Sequence, residues 1–272
     1  MIRLRPILPL ILAALLSASG AMAQTSGLIR LTDRDDLFGW EAVGRVDIGR
    51  GGFCTGVLIA PNQVLTAAHC IFDKTGRAVE ATTIRFRAGL RDGVVVAERG
   101  VARYVTTKGY DPVTGMTAEN IRRDVALLEL AEPIQSALAA PFRLHGGGTK
   151  GQRVSVVSYG ANRDKAPSWQ RDCGLNWRHE GIMQFDCNII SGSSGAPVFA
   201  RDGNRARILS LVSGGNWKTD DKVAYGMDLP ALVETLKRDL RAGPTATTVN
   251  TGFRRVEVGT TKRASGAKFA KP

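Results

Sequence analysis

Beyond its first two dozen residues the sequence has no apolar run long enough to cross a bilayer, which takes about 20 such residues. Aromatic side chains are scarce, at 6% of 272 residues. There is no C-x-x-C pair of the kind a zinc site uses, so no metal is expected, and nothing calls for a cofactor. No nucleic-acid motif is present. Acids are the scarcer charge, with 25 Asp and Glu against 37 Lys and Arg, a formal net charge of +12. Such a balance favours anionic surfaces or polymers without by itself implying nucleic acid.

What is present begins with an export signal. Arg3 and Arg5 precede an apolar run from Ile7 through Leu16, and small residues end at Ala21-Met22-Ala23. This reads as a secretory signal peptide over 1–23, cleaved before Gln24. The apolar run is too short to be a membrane anchor. Its removal takes two Arg and no acid, so +12 becomes +10. The mature protein is expected to be exported, periplasmic or extracellular, monomeric and without a transmembrane segment. The four cysteines, Cys54, Cys70, Cys173 and Cys187, are an even count in an exported chain. They read as two disulfides, with three pairings open.

Short strand-like runs dominate the middle of the chain. Thr83 to Arg87 alternates polar and apolar residues, as a half-buried strand should. Val57-Leu58-Ile59, Val94-Val95-Val96, Val101 to Val105 and Val125 to Leu130 are further runs, separated by turn residues such as Asp92-Gly93 and Asp111-Pro112. A second series runs from Val154 through Val212. Between the two series lies a connector from Pro133 to Gly151 that contains Gly146-Gly147-Gly148. One stretch has helical periodicity: Leu229, Leu232, Val233, Leu236 and Leu240 share a face, with Asp228 as N-cap and Gly243-Pro244 as stop. From Pro244 onward six basic residues face one acid, a composition that predicts a disordered basic tail able to meet anionic surfaces. The expected organisation is an N-terminal segment over 24–42 (a possible propeptide), β-barrels over 43–140 and 141–228, a helix over 229–242 and the tail over 243–272.

Three segments carry chemistry. In Thr66-Ala67-Ala68-His69-Cys70 a histidine follows small residues at a strand end. In Asp124-Val125-Ala126-Leu127-Leu128 an acid precedes a buried strand, and in Gly192-Ser193-Ser194-Gly195-Ala196-Pro197 a serine is flanked by glycines. A serine hydroxyl is a weak nucleophile until a base takes its proton, and the base must be held in one tautomer by a buried acid. Glycines let the backbone turn sharply and aim N–H groups at a developing oxyanion. His145 and His179 are rival bases, but neither sits in such a strand-turn setting, and both read as surface residues.

In the order His, Asp, Ser, these segments resemble the trypsin/chymotrypsin superfamily. The first matches its T-A-A-H-C motif in full, the second its D-[IV]-A-L-L motif, and the third its G-D-S-G-G-P motif with two changes. The resemblance covers about Val43 to Leu240. It implies an all-β fold of two six-stranded antiparallel β-barrels with a C-terminal helix. It also implies a serine endopeptidase acting on polypeptides through an acyl-enzyme. His69 would be base and acid, Asp124 its orienter and Ser194 the nucleophile, with the Gly192 and Ser194 N–H groups as oxyanion hole. The family's histidine-loop disulfide would join Cys54 to Cys70, which leaves Cys173 for Cys187. The alternative is a catalytically silent, protease-like binding protein, against which the intact triad and glycines argue.

Departures from the family pattern are informative. Ser193 stands where pancreatic-type members carry the Asp that binds a newly freed N-terminal amine, so activation by N-terminal insertion is not expected. In this the chain is similar to bacterial glutamyl-endopeptidase relatives. By the resemblance the floor of the primary pocket falls at Asn188 and Ile189, and its wall at Ser213, Gly214 and Gly215. With no acid at Asn188, and Val212 where glutamyl endopeptidases carry a His, an uncharged residue is expected before the scissile bond.

Overall fold

The computed structural model describes residues 27–49, 51–202, 205–216 and 223–243. The expected signal peptide and all but Gly243 of the basic tail lie outside the described residues. The chain enters with strand β1 (Leu28–Arg30) and a one-turn helix, α1 (Arg34–Leu37). Six strands then close into an antiparallel barrel in the order β2-β3-β4-β7-β6-β5. They are β2 (Val43–Ile48), β3 (Gly52–Ala60), β4 (Gln63–Thr66), β5 (Ile84–Ala88), β6 (Ala97–Thr106) and β7 (Ala126–Leu130). A short helix, α2 (Ala118–Arg123), leads into β7.

Burial explains why these strands differ in pattern. On β5, Ile84 and Phe86 are buried in the barrel while Arg85 is exposed, so alternation survives. On β4 and β7 both faces are covered. Val64 and Leu128 point into the barrel, whereas Leu65 and Leu127 join a second core shared with the C-terminal half. A strand buried on both sides reads as a continuous apolar run. Fully burying one such leucine stabilises by roughly 1.5–3 kcal/mol.

The C-terminal half comprises β8 (Arg153–Ser158), β9 (Ser168–His179), β10 (Ile182–Phe185), β11 (Pro197–Asp202), β12 (Arg205–Leu211), β13 (Gly214–Asn216) and β14 (Val223–Met227). Among the described residues they form an open sheet in the order β12-β11-β8-β9-β10-β14-β13, with β1 added alongside β9 as the eighth strand. The all-β class with two antiparallel halves holds, but this half is a half-barrel and not the closed six-stranded barrel expected. Its seam is bridged by a side chain where a ladder would run: the Ser210 hydroxyl donates to the Met227 carbonyl and accepts from the Met227 N–H, both at 2.8 Å. Gly226 permits this approach, since a Cβ there would meet the Leu211 carbonyl at 2.3 Å.

Helix α3 (Pro230–Arg241) closes the molecule, with Pro230 in its first turn. Val233, Leu236 and Leu240 bury into the shared core, as the periodicity predicts. Asp228 does not cap it; Leu229 holds that position, and Asp228 pairs instead with Arg178 at 2.8 Å. The segment preceding the first barrel is built in: Leu31 and Leu37 are buried, and Trp40 packs on Phe199 and Trp169 with ring centroids 5.0 and 5.1 Å apart. No helix among the described residues is long and apolar enough to cross a membrane.

Candidate active site

His69 sits on a 3-10 turn (Ala68–Ile71) that follows β4 directly. Cys54 on β3 is bonded to Cys70 in that turn, with Cα atoms 6.3 Å apart. Asp124 follows α2, whose N-cap is Thr117; the Thr117 hydroxyl accepts from the Asn120 N–H at 3.3 Å. The helix therefore delivers Asp124, only 2% exposed, to the entrance of β7.

The Asp124 side chain meets His69 at two points. The Asp124 carboxylate accepts from the His69 backbone N–H and from its ring Nδ1, each at 2.8 Å. A carboxylate can only accept here, so Nδ1 carries the hydrogen and Nε2 is left with its lone pair. A third donor is the Ser213 hydroxyl, 2.6 Å from Asp124 Oδ2. Burial lowers the His69 pKa, but the Asp124 charge and its hydrogen bond outweigh it, and the net displacement is above 6.5.

Ser194 comes from the other half, on the loop between β10 and β11. Its flanking glycines are required twice over. Gly192 has φ +92° and Gly195 φ +74°, a region that side chains disfavour. A Cβ on Gly192 would meet the Phe53 ring at 2.4 Å, and one on Gly195 the Thr66 hydroxyl at 2.3 Å. Thr55 on β3 ties this loop to the first barrel: its N–H donates to the Ser194 carbonyl and its hydroxyl to the Gly192 carbonyl, both at 2.9 Å. Among the described residues neither the Gly192 nor the Ser194 N–H donates to a protein acceptor. Two N–H groups two residues apart on a tight turn are suited to receive an oxyanion. The second disulfide, Cys173 to Cys187 with Cα atoms 5.2 Å apart, anchors β9 to the chain leaving β10, seven residues before Ser194.

His69, Asp124 and Ser194 line one cavity of about 380 Å³. Among the described residues no hydrogen bond joins the His69 ring to the Ser194 hydroxyl; such contacts tighten when a substrate closes the site. Of the expected pocket residues, Ile189, Ser213, Gly214 and Gly215 line the same cavity. Asn188 instead lines a separate depression with Leu28 and Asn162, and its N–H donates to the buried Gln170 side chain at 2.6 Å. Ser213, read from sequence as pocket wall, also has its hydroxyl on the acid. Sequence reasoning passed over Thr55 and the residues between β6 and β7 that roof the cavity, Tyr110, Pro112 and Met116. Nothing in a local pattern marks them, because their roles come from contacts far along the chain.

A buried acid oriented on a histidine, next to a serine on a glycine-flanked turn between two antiparallel β halves, is the arrangement of the chymotrypsin-like fold. Residues 54–205 match the family model described as "Trypsin-like peptidase domain", and the chain belongs to that family. It is similar to the glutamyl endopeptidase of Bacillus licheniformis, 28% identical over 155 residues, which covers 57% of this chain and 47% of that protein. It is similar also to serine protease 23 of Rattus norvegicus, 25% identical over 220 residues, covering 70% and 55%. The chain thus spans about half the length of these curated relatives. A solved Glu endopeptidase in complex with MPD superposes with a TM-score of 0.66 at 18% identity, over 80% of this chain and 97% of that one. A thermostable serine protease, AL20, gives 0.60 at 19% identity, over 75% and 98%. At these identities the superpositions speak for the fold alone.

Proposed function

We propose that the protein is an exported serine endopeptidase that hydrolyses peptide bonds through an acyl-enzyme. The observation that carries this reading is the two-point contact between His69 and Asp124 beside the cavity that Ser194 lines. Ser194 Oγ attacks the scissile carbonyl while His69 Nε2 takes its proton. Asp124 keeps the ring oriented and stabilises the imidazolium, and the Gly192 and Ser194 N–H groups receive the carbonyl oxygen as it becomes negative. His69 then gives the proton to the departing amine, which leaves an ester on Ser194. A water, deprotonated by the same nitrogen, hydrolyses that ester and restores the hydroxyl.

The reading extends to specificity. Among the described residues, no lining residue of the cavity apart from His69 and Asp124 themselves is charged, and Ile189, Ile190, Val212 and Met116 make much of its wall apolar. An uncharged side chain before the scissile bond suits this lining. Polypeptides are the substrates, and the basic tail offers a contact for anionic surfaces.

Replacing the nucleophile tests the assignment. Ser194→Ala is expected to lower kcat on the order of a millionfold while the far-ultraviolet spectrum and melting temperature stay those of the parent. A variant that keeps more than a few per cent of the activity would show that another group attacks.

A further inference from the structure

Arg163 has no part in the chemistry above, yet it lies directly beneath the loop that carries it. Residues 160–163 form a turn in which the Arg163 N–H donates to the Gly160 carbonyl at 2.9 Å, and Asn162 takes the left-handed conformation at φ +65°. This reversal sends the Arg163 side chain back under the protein. The guanidinium lies against Gly160, where a Cβ would meet its Cζ and Nε at 2.9 Å. One terminal nitrogen donates to the Ser158 carbonyl at 2.7 Å, and the other to the hydroxyls of Ser158 and Ser193, both at 3.0 Å.

Ser193 is the residue between the two N–H groups proposed as oxyanion hole, and it is fully buried. Its hydroxyl also accepts from the Ile190 N–H and donates to the Tyr159 carbonyl, each at 3.2 Å. Ala161 N–H reaches the Ser191 carbonyl at 2.7 Å, so the two loops touch along their length. Among the described residues no carboxylate pairs with Arg163. Burial alone lowers its pKa, to about 10, which leaves it a cation at any working pH. A partly buried cation held only by neutral oxygens is costly to keep, and the hydrogen bonds that offset the cost tie it to Ser158 and Ser193.

We infer that Arg163 is a positioning residue: by clamping Ser193 to Ser158, it fixes the turn that aims the Gly192 and Ser194 N–H groups into the cavity. The inference rests on the proposed peptidase reading, and it makes the brace of the nucleophile loop an internal side chain.

Arg163→Met keeps the unbranched stem as far as the position of Nε and removes every donor. It is expected to lower kcat between about tenfold and a hundredfold, short of the 10²–10³ that follows loss of an oxyanion donor itself. KM should move by less than about threefold, because mispositioned N–H groups weaken the transition state more than the ground state. Arg163→Ala should lose activity alike and recover part of its kcat in millimolar guanidinium chloride, which should leave the parent unchanged. Recovery identifies the missing cation and is not produced by general destabilisation. An Arg163→Met kcat within twofold of the parent, or an Arg163→Ala variant that guanidinium does not revive, overturns the inference. An inactive parent would instead overturn the peptidase reading, so the two failures are distinguishable.

Discussion

In the N-terminal half six strands close on themselves, and acid and base meet through two direct bonds of 2.8 Å. In the C-terminal half the sheet stays open among the described residues, and the Ser194 loop is held by groups that reach it from outside: Thr55 from the first barrel, Arg163 from a neighbouring turn and the Cys173–Cys187 disulfide. A closed barrel fixes its residues by ladder bonds and a packed core, to which the His–Asp pair adds the Cys54–Cys70 disulfide and the Ser213 hydroxyl. An open half-barrel leaves a loop whose geometry depends on particular side chains. The first half should therefore tolerate changes around its proposed active residues better than the second, except at the pair itself.

The largest effect short of removing the nucleophile is expected there. Asp124→Asn should lower kcat about 10⁴-fold near neutral pH, the size associated with this exchange in Ser-His-Asp hydrolases. The pH profile supplies a sign. Activity needs neutral His69, whose pKa is raised, so kcat/KM should climb with pH through a limb centred above 6.5. With Asn at 124 the raising contributions vanish and burial alone remains, so the residual activity should titrate below 6.5. A limb that did not move down would separate the two residues.

The disulfides compare the halves directly. Their sequence separations, 16 and 14, are nearly equal, so opening either by paired Cys→Ser exchange should cost about 3 kcal/mol in the chain-entropy model. Activity at a temperature where both variants stay folded should differ. Loss of Cys173–Cys187 should lower kcat more, because the loop it anchors lies outside any closed ladder. Equal kcat values would erase the contrast between the halves.

A smaller change is expected from Ser213→Ala, which deletes the hydroxyl donor to the buried carboxylate. A bond to a charged group contributes about 1.5–3 kcal/mol, read here as a lowered unfolding free energy with kcat reduced far less than in Asp124→Asn. The smallest concerns the tail. Deletion from Pro244 should leave turnover of a short peptide unchanged, since α3 ends at Arg241, and should weaken binding to anionic vesicles at low salt. Equal vesicle binding by both forms would remove the tail's proposed role.

Much of this was legible in the sequence, for identifiable reasons. Local motifs mark the proposed active residues, because a histidine turn after β4, an acid before β7 and a glycine-flanked serine each need particular neighbours in sequence. The helix at α3 announces itself through twelve residues of periodicity. By contrast α2 has six residues, too few for a period to show, and only Thr117 marks its start. The hydroxyl of Ser213 on Asp124 spans 89 positions, and Arg163 on Ser193 spans 30. Such ties leave no local trace. Nor does the open seam, which turns on Ser210 and Gly226 meeting across two strands.

The most direct test of the central claim, that one base pair and one nucleophile from opposite halves form a single catalytic unit, is to locate a covalent adduct. The protein is treated with a peptidyl phosphonate bearing an uncharged side chain, digested and mapped by mass spectrometry. One adduct is expected, on Ser194, formed at a rate that falls steeply in His69→Ala and Asp124→Asn. An adduct on another residue, or labelling of Ser194 that is indifferent to both substitutions, would contradict it.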